Sequence, residues 1–487
     1  MSQARQTVRN AGWLIAQRGL HVLTATVFAL LVPRLMGPDL FGRYSLLTSV
    51  SMWFAMLSGL GAVSLMTRSV PQFTAAGDTR GLRKLVTNLL VLRASTGVVT
   101  ATTYFVIVAL ALGEPDWLAA LFVAGGVFSR TVANLCFSLF LGLNQAARWG
   151  LGDLMRRVLT LAGVLIGFPL AGLRGACAGF AVANVIVLAV GLSGAWRHLL
   201  WSSLDLRRAY LAPYLRTGTS FAAGNLLLAL AQRSGETVVR LATANYVQVG
   251  YYGAAYSIYL TGAHALWQGA LAFAPLLMTL LTRGDVGQVL SWLERLLKWM
   301  FVVASLASLA TLLVGDDLVP LVLGAAYRPV ADCLWPLALA LFALAVSSIG
   351  RLSALTLDRP GLSAMAAAVE LAMFWGLGAL LATRLGAVGM ALAALAGTAG
   401  YAAVISWRVH GELPYKVRPA LAAAGLALPF VPLAALRGSW VVNATLLAVA
   451  VVGYVGLLLW CRVVTVDEVA ALRRAVQRNR DVSTLPA

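Results

Sequence analysis

Six arginines, Arg18, Arg93, Arg130, Arg233, Arg240 and Arg351, interrupt long apolar runs in a chain of 487 residues that is 60% hydrophobic and only 11% charged. A guanidinium is permanently charged and presents a rigid fork of N–H donors matched to phosphate and carboxylate oxygens. In hydrocarbon such a group costs at least about 2.5 kcal/mol, so it faces a protein interior or a watery cavity. Glu236 and Glu370 are the two acids that fall well inside apolar spans. They cannot neutralise all of these cations, so the surplus points to an anionic cargo.

The individual groups differ in depth. Gln17, Arg18 and His21 lie on the first span, with Arg18 about 10 Å above its cytoplasmic end at 1.5 Å per residue. An interfacial, snorkelling arginine and a cavity cation are both open readings there. Arg130 and Asn134, one turn apart in the middle of span 4, are too deep to snorkel. Span 7 carries Gln232, Arg233, Glu236, Thr237 and Arg240, whose spacing puts Arg233, Glu236 and Arg240 on one stripe. That stripe is either an anion site with one cation to spare or an ion-pair ladder. His264, Trp267 and Gln268 on span 8 suit sugar contacts or ordinary packing. Arg351 on span 10 and Glu370 on span 11 share a depth, where a salt bridge is the default and a cargo contact the alternative. Arg93, two turns into span 3, is expected to snorkel to the cytoplasmic headgroups. The candidate cavity cations are therefore Arg18, Arg130, Arg233 and Arg351. The accompanying polar groups are Glu236, His264, Gln268, His21, Asn134 and Glu370.

Catalytic, metal and cofactor chemistry have no comparable support. Cys136, Cys177, Cys333 and Cys461 stand singly, without metal-ligand or disulfide spacing, and read as packing residues. No phosphate-cradling loop, HExxH pair or activated nucleophile is present. The acidic pair Asp316-Asp317 reads as a solvated break between spans. A membrane-embedded ligase or polymerase would carry a long extracytoplasmic loop, and no loop exceeds about 30 residues.

The elements that must position these groups are transmembrane helices. Mean hydropathy is +0.84, and apolar runs of about 20 residues, the length that crosses a bilayer, recur from end to end. About fourteen spans are expected, starting near 11, 44, 86, 117, 151, 175, 217, 249, 297, 331, 361, 387, 419 and 440. The formal net charge of +19 does not point to nucleic acid, because the basic residues punctuate apolar spans and form no tail. The first apolar run, 11–36, lacks a cleavage-like site and reads as a retained helix. Outside the spans, one set of alternate loops holds only Arg34, Arg43, Arg174, Arg328, Arg384 and Arg437. All other exposed Lys and Arg fall on the opposite face, which predicts that both termini are cytoplasmic.

An internal repeat organises the first twelve spans. Arg34-Leu35 and Gly42-Arg43-Tyr44 recur as Arg240-Leu241 and Gly250-Tyr251-Tyr252. Pro71 leads to Thr79-Arg80-Gly81 as Pro275 leads to Thr282-Arg283-Gly284. The expected organisation is an all-α polytopic membrane protein of two pseudo-symmetric six-helix lobes, 1–210 and 211–410. Two extra helices follow in 411–462, then a cytoplasmic tail, 463–487. Two like-oriented repeats predict a pseudo-two-fold axis along the membrane normal.

The stretch Met36-Gly37-Pro38-Asp39-Leu40-Phe41-Gly42-Arg43-Tyr44 resembles the "LGP..FG.Y" junction of Wzx-type polysaccharide flippases in the MOP superfamily. Val249-Gly250-Tyr251-Tyr252-Gly253-Ala254-Ala255 and Leu323-Gly324-Ala325-Ala326-Tyr327 resemble that family's "VG.Y..A" and "fG..y" stretches. The resemblance spans about residues 8 to 410 and implies two six-helix lobes around a central cavity. It further implies translocation of undecaprenyl-pyrophosphate-linked oligosaccharide, an O-antigen, capsule or exopolysaccharide unit, across the cytoplasmic membrane by alternating access. Membrane lipids and the polymerase and glycosyltransferases of the same pathway would be its partners. A MATE-like cation- or proton-coupled drug antiporter is the alternative, and would want acidic rather than basic cavity groups.

Overall fold

An apolar segment in lipid must satisfy its backbone internally, which leaves the helix as the solution for a single segment. The computed structural model describes residues 3–58, 62–199, 226–227 and 229–464, with the side chains of 3–18, 21, 62–64, 68 and 360 left out. Among the described residues there is no strand, and ten helical stretches are long and apolar enough to cross a membrane. The main helices are α1 (Gln3–Leu57), α2 (Ala62–Ala75), α3 (Thr79–Val106), α4 (Trp117–Gly142), α5 (Ala146–Ala195), α6 (Gly235–Thr243) and α7 (Tyr246–Leu271). They continue as α8 (Ala274–Thr282), α9 (Val286–Leu323), α10 (Val330–Thr356), α11 (Pro360–His410), α12 (Arg418–Gly425) and α13 (Trp440–Trp460). The span expected near 217 begins outside the described residues. Tryptophans at both ends of α13, exposed at Trp440 and Trp460, are about 30 Å apart along the axis, the thickness of a hydrocarbon core. The chain is a multi-pass membrane protein.

Three helices are too long for one crossing. α1, α5 and α11 have 55, 50 and 51 residues, about 75 Å or more if straight. Each leaves helical geometry once, at Gly37 (φ 73°), at Ala171-Gly172 (φ 57° at Gly172) and at Gly386 (φ 57°). Left-handed φ is a glycine property. The halves of α5 then fold against each other through paired glycines: Gly167 meets the Gly175 carbonyl, and Gly163 meets that of Gly179. In α11 Gly389 meets the Leu381 carbonyl. In α1, Phe28 and Tyr44 come within 6.3 Å across the corner, whereas a straight helix would hold them about 24 Å apart.

Left-handed residues mark the corners of the chain in two successive series. The first is Gly37, Gly77, Gly113, Asn144 and Gly172; the second is Ala244, Gly284, Gly324, Asp358 and Gly386. The match extends to hydrogen bonds. The Asp78 and Asp285 amides reach back to Phe73 O (3.0 Å) and Leu280 O (3.1 Å). Their side chains then cap the next helices, accepting from Gly81 N at 2.7 Å and Gln288 N at 3.1 Å. Gly77-Asp78 is thus the counterpart of Gly284-Asp285, at the interval separating Gly42 from Gly250 to within one residue. The expected pairing of Arg80 with Arg283 is out by a helical turn: Arg80 lies in the first turn of α3, while Arg283 caps the end of α8. The Thr-Arg-Gly triplet recurs, but the backbone motif lies beside it.

Other boundaries also move. α5 begins at Ala146, ahead of the expected start near 151, so Arg156 and Arg157, counted with the cytoplasmic charges, lie well inside the helix. α9 runs unbroken through Asp316-Asp317, which correct from a solvated break to an anchor. Arg437 donates to Asp316 at 2.8 Å, and Asn443 on α13 donates to Asp317. α12 and α13 pack on α9, with Tyr454 fully buried and bonded to Ala423 O at 3.0 Å. Cys136, Cys177 and Cys333 are buried as expected, but Cys461 is exposed.

The chain divides into two compact units, Met1–Phe28 with Asp39–Gly250, and Ala29–Pro38 with Tyr251–Ala487. Residues 29–38 join the second because Arg34 donates to Leu321 O (3.1 Å) and Val322 O (3.2 Å) at the carbonyl end of α9, and Tyr327 Oη to Pro33 O at 2.9 Å. In the first unit, Gly42 packs on the Tyr246 carbonyl and the Gly250 amide. The quoted family-like motifs are therefore packing motifs here.

Candidate functional site

In the first unit the antiparallel pair α4 and α5 positions the densest cationic group. Gly152, having no side chain, lets α5 close on the Phe137 ring of α4. This registers Arg156 against Asn134, to whose Oδ1 its Nη2 donates at 2.7 Å. One turn from Asn134, Arg130 sits in the middle of α4, about 20 Å from its first residue. It has no hydrogen bond or ion pair among the described residues, yet feels the charges of Arg156, Asp153, Arg157 and Arg233. Asp153, the carboxylate whose charge reaches Arg130, is taken by Arg157 at 3.1 Å. Arg233 also lies within electrostatic reach of Arg130. Arg156, Arg157 and Asp153 were missed, because adjacent arginines near a span start read as a cytoplasmic loop.

Glu236 sits in the first turn of α6, where a helix favours negative charge. It is buried, accepts from Ser45 Oγ at 3.2 Å through one oxygen and leaves the other without a partner. Arg233 lies within its electrostatic reach and is fixed through its backbone, whose carbonyl accepts from Trp53 Nε1 at 2.9 Å. The expected stripe does not hold as a ladder. Helical hydrogen bonding lapses at Ser234, and Arg240 turns away to lie 4.1 Å over the Tyr246 ring, its Nη2 donating to Leu112 O at 3.4 Å. Arg43 lies on the same ring at 4.8 Å and 3.8 Å from Glu114, whose side chain is fully buried. Arg240 is a clamp residue of this corner.

In the second unit Arg351 on α10 stacks on Trp267 of α7 at 3.3 Å. Glu370 and Tyr401 act on it electrostatically, but the expected Arg351–Glu370 salt bridge is not formed. The aromatic face takes the position the carboxylate was expected to fill. Glu370 is buried beside Thr398. Gln268 Oε1 and Arg351 Nε are buried without hydrogen-bond partners, and His264 lies one turn before Gln268 on α7. Trp267→Ala is expected to lower transport as far as Arg351→Ala, with the double variant no worse than either. Removing the ring forfeits a desolvated cation–π contact of about 2 kcal/mol and frees the guanidinium to leave its position. Transport assays on the three variants check this. The side chains of Arg18 and His21 lie outside the described residues.

In the second unit α7 ends at Leu271 and α8 begins at Ala274. Phe273-Ala274-Pro275 is the sequence signal that could have revealed this break.

No protein-family model and no curated protein matches the sequence. The fold is shared with transporters of known structure. An inward-facing multidrug resistance MATE family transporter of the MOP superfamily superposes with a TM-score of 0.70 at 17% identity, over 80% of this chain and 94% of that one. The lipid II flippase MurJ, in an inward closed conformation, gives a TM-score of 0.71 at 12% identity over 92% and 97%. A MOP superfamily transporter from Pyrococcus furiosus, described as having a binding pocket of reverse polarity, gives 0.57 at 15% over 85% and 98%.

Proposed function

We propose that this protein is a flippase that carries an undecaprenyl-pyrophosphate-linked oligosaccharide across the cytoplasmic membrane by alternating access. The observation that carries this reading is the cationic group of the first unit. Arg130 has no hydrogen-bond or ion-pair partner among the described residues, and Asp153, whose charge reaches it, is already paired with Arg157. Like charges are gathered at this cost where a polyanion replaces the water they give up, and guanidinium matches the phosphate oxygens. The likeness of fold to a lipid II flippase supports the same direction. An inside-negative potential favours outward movement of the anionic headgroup by about 2.3 kcal/mol per charge per 100 mV.

In this reading the chain makes fourteen crossings as two six-helix lobes, 1–210 and 211–410, with two added helices. Both termini are cytoplasmic, and the glycosyltransferases and polymerase of the pathway work alongside. Single cysteines in a cysteine-free background should be protected from a periplasmic thiol reagent at Asp205 and beyond Arg462, and labelled at Arg174. Labelling at the first two would reverse the orientation.

The fold neighbours include MATE drug transporters, and buried Glu236 and Glu370 favour cation antiport as the second reading. Depletion in the native host separates the two. A flippase loss leaves lipid-linked oligosaccharide accumulating on the cytoplasmic leaflet and surface glycan missing. Unchanged glycan with increased sensitivity to cationic drugs would replace the flippase reading by the antiporter.

A further inference from the structure

Arg93 is not drawn to the headgroups as expected: it is 3% exposed in the middle of α3, with Nε and Nη1 lacking a partner. An open volume lies elsewhere, wholly within the second unit. It is a slot of about 680 Å³ between α9, α10 and α12 with the 3₁₀ segment Leu428–Leu436 that follows it. Its walls are carbon apart from the hydroxyls of Ser305 and Ser308. It opens sideways, where Trp335, Leu339, Leu421 and Leu428 are exposed. Nothing lies within 4 Å of a Cβ built on Gly425, in the wall formed by α12.

The dimensions of the slot select what fills it. Its lining runs from Phe301 to Leu312 on α9 and from Trp335 to Val346 on α10, about 17 Å along each helix and close to half the thickness of a hydrocarbon core. Dividing the volume by this length leaves a mean cross-section of about 40 Å². A helix, with its side chains, needs about 80 Å² or more. Two hydrocarbon chains, each about 4–5 Å across, lie side by side in that width. The charges at the two ends differ. Beyond Leu312, Arg437 is already held by the Leu312 carbonyl at 3.0 Å and by Asp316 at 2.8 Å. Beyond Phe301, Glu294 accepts from the Lys416 amide at 2.8 Å and Lys298 donates to Val463 O at 2.7 Å, which brings the start of α12 to the polar boundary of α9. Arg418 stands there, exposed, with no hydrogen bond or ion pair among the described residues. Leu421 and Gly425, three and seven residues on, share its face of α12 and line the slot.

We propose that this slot is the seat of a resident anionic diacyl phospholipid, its two chains lying along α9 and α10 and its phosphate on Arg418. A basic residue at the membrane surface draws anionic headgroups, and the apolar walls exclude a polar one. The width asks for paired chains and not for the single chain of a polyprenyl carrier. The site is separate from the Arg130 group and does not depend on what the cargo is. Its effect is to fasten α12 and the 3₁₀ segment to α9 and α10.

The test uses the purified, delipidated full-length protein in detergent, with unfolding followed by tryptophan fluorescence as phosphatidylglycerol, phosphatidylcholine or undecaprenyl phosphate is added. Phosphatidylglycerol is expected to raise Tm by several degrees over detergent alone, and phosphatidylcholine by less. Arg418→Gln should raise the phosphatidylglycerol concentration for half-maximal stabilisation about tenfold, the loss of one charge-assisted contact. Gly425→Phe, which places a ring in the open slot, should remove the lipid response while leaving Tm in detergent alone no lower than that of the parent. No rise with phosphatidylglycerol overturns the proposal, as does a rise that persists in Gly425→Phe. Equal rises with the two phospholipids overturn the anionic headgroup. A larger rise with undecaprenyl phosphate, lost in Gly425→Phe, overturns the diacyl occupant. If Gly425→Phe does not fold, cryo-electron microscopy of the wild-type protein in phosphatidylglycerol nanodiscs decides. Two-chain density in the slot with a headgroup at Arg418 supports the site, and an empty slot, a single chain or a helix there overturns it.

Discussion

Arg130→Ala is expected to reduce glycan export by on the order of 100-fold or more while leaving membrane insertion and protein level near wild type. The two halves of this expectation come from the same fact. Arg130 makes no hydrogen bond or ion pair among the described residues and stands among Arg156, Arg157 and Arg233, so its removal breaks no such bond and relieves like-charge repulsion. The alanine variant should unfold at the same temperature as the parent or somewhat higher, as is common where a site is held in a destabilised state for function. Arg130→Lys separates charge from geometry. Substantial export would mean that a point charge suffices, and little export that the planar fork engages two oxygens at once. Complementation of a flippase-deficient strain, scored by surface glycan and by immunoblot of the membrane fraction, measures both quantities. Wild-type export by Arg130→Ala would remove the main support for an anionic cargo.

Gly175→Leu should leave little folded protein in the membrane. Its Cβ would fall on the Gly167 carbonyl, and the reciprocal contact of Gly167 with the Gly175 carbonyl is equally close. Backbone faces backbone on both sides, so neither can yield by a rotamer change. Overpacking of this kind costs about 1–3 kcal/mol even where side chains can move, and here the two halves of α5 must separate. The same hairpin carries Arg156 and Arg157, so the cationic site would be lost with it. Gly125→Ala is the control. Nothing lies within 4 Å of a Cβ there, and the change should be neutral or stabilising by up to about 1 kcal/mol, the helix-propensity gain. Fluorescence-detected size exclusion and thermal unfolding of the two variants make the comparison. A well-folded Gly175→Leu would mean that the hairpin does not close on its glycines.

Which charges are expensive was legible from composition and pattern alone. A run of 20 apolar residues has one use in water-free surroundings, and an arginine inside it is conspicuous without any knowledge of its neighbours. The same logic made Arg130 and Arg233 candidates and predicted a duplication through Gly42 and Gly250. Orientation and crossing number rest on the same charge and hydropathy patterns.

Partners were not legible, because they depend on interhelical register, which no local period encodes. Glu370 and Arg351 share a depth in the sequence, yet Arg351 rotates onto Trp267, and a rotation of this kind about a helix axis leaves the hydropathy profile unchanged. Arg156 looked like loop because the helix starts ten residues earlier than the charge pair suggests. Whether a buried cation is then satisfied depends on which face of the neighbouring helix meets it, and glycines decide that by how near they let backbones approach. Gly152 seats Phe137 and so brings Asn134 to Arg156. The sequence by itself determined that this chain lives in a membrane and carries more positive than negative charge within its spans, since both follow from residue type and count. Only the tertiary structure decided that Arg157 is neutralised by Asp153, that Arg240 is spent on Tyr246, and that Arg130 and Arg93 have no hydrogen-bond or ion-pair partner among the described residues. Pairing is a matter of a few ångströms between helices, and that distance is set by packing.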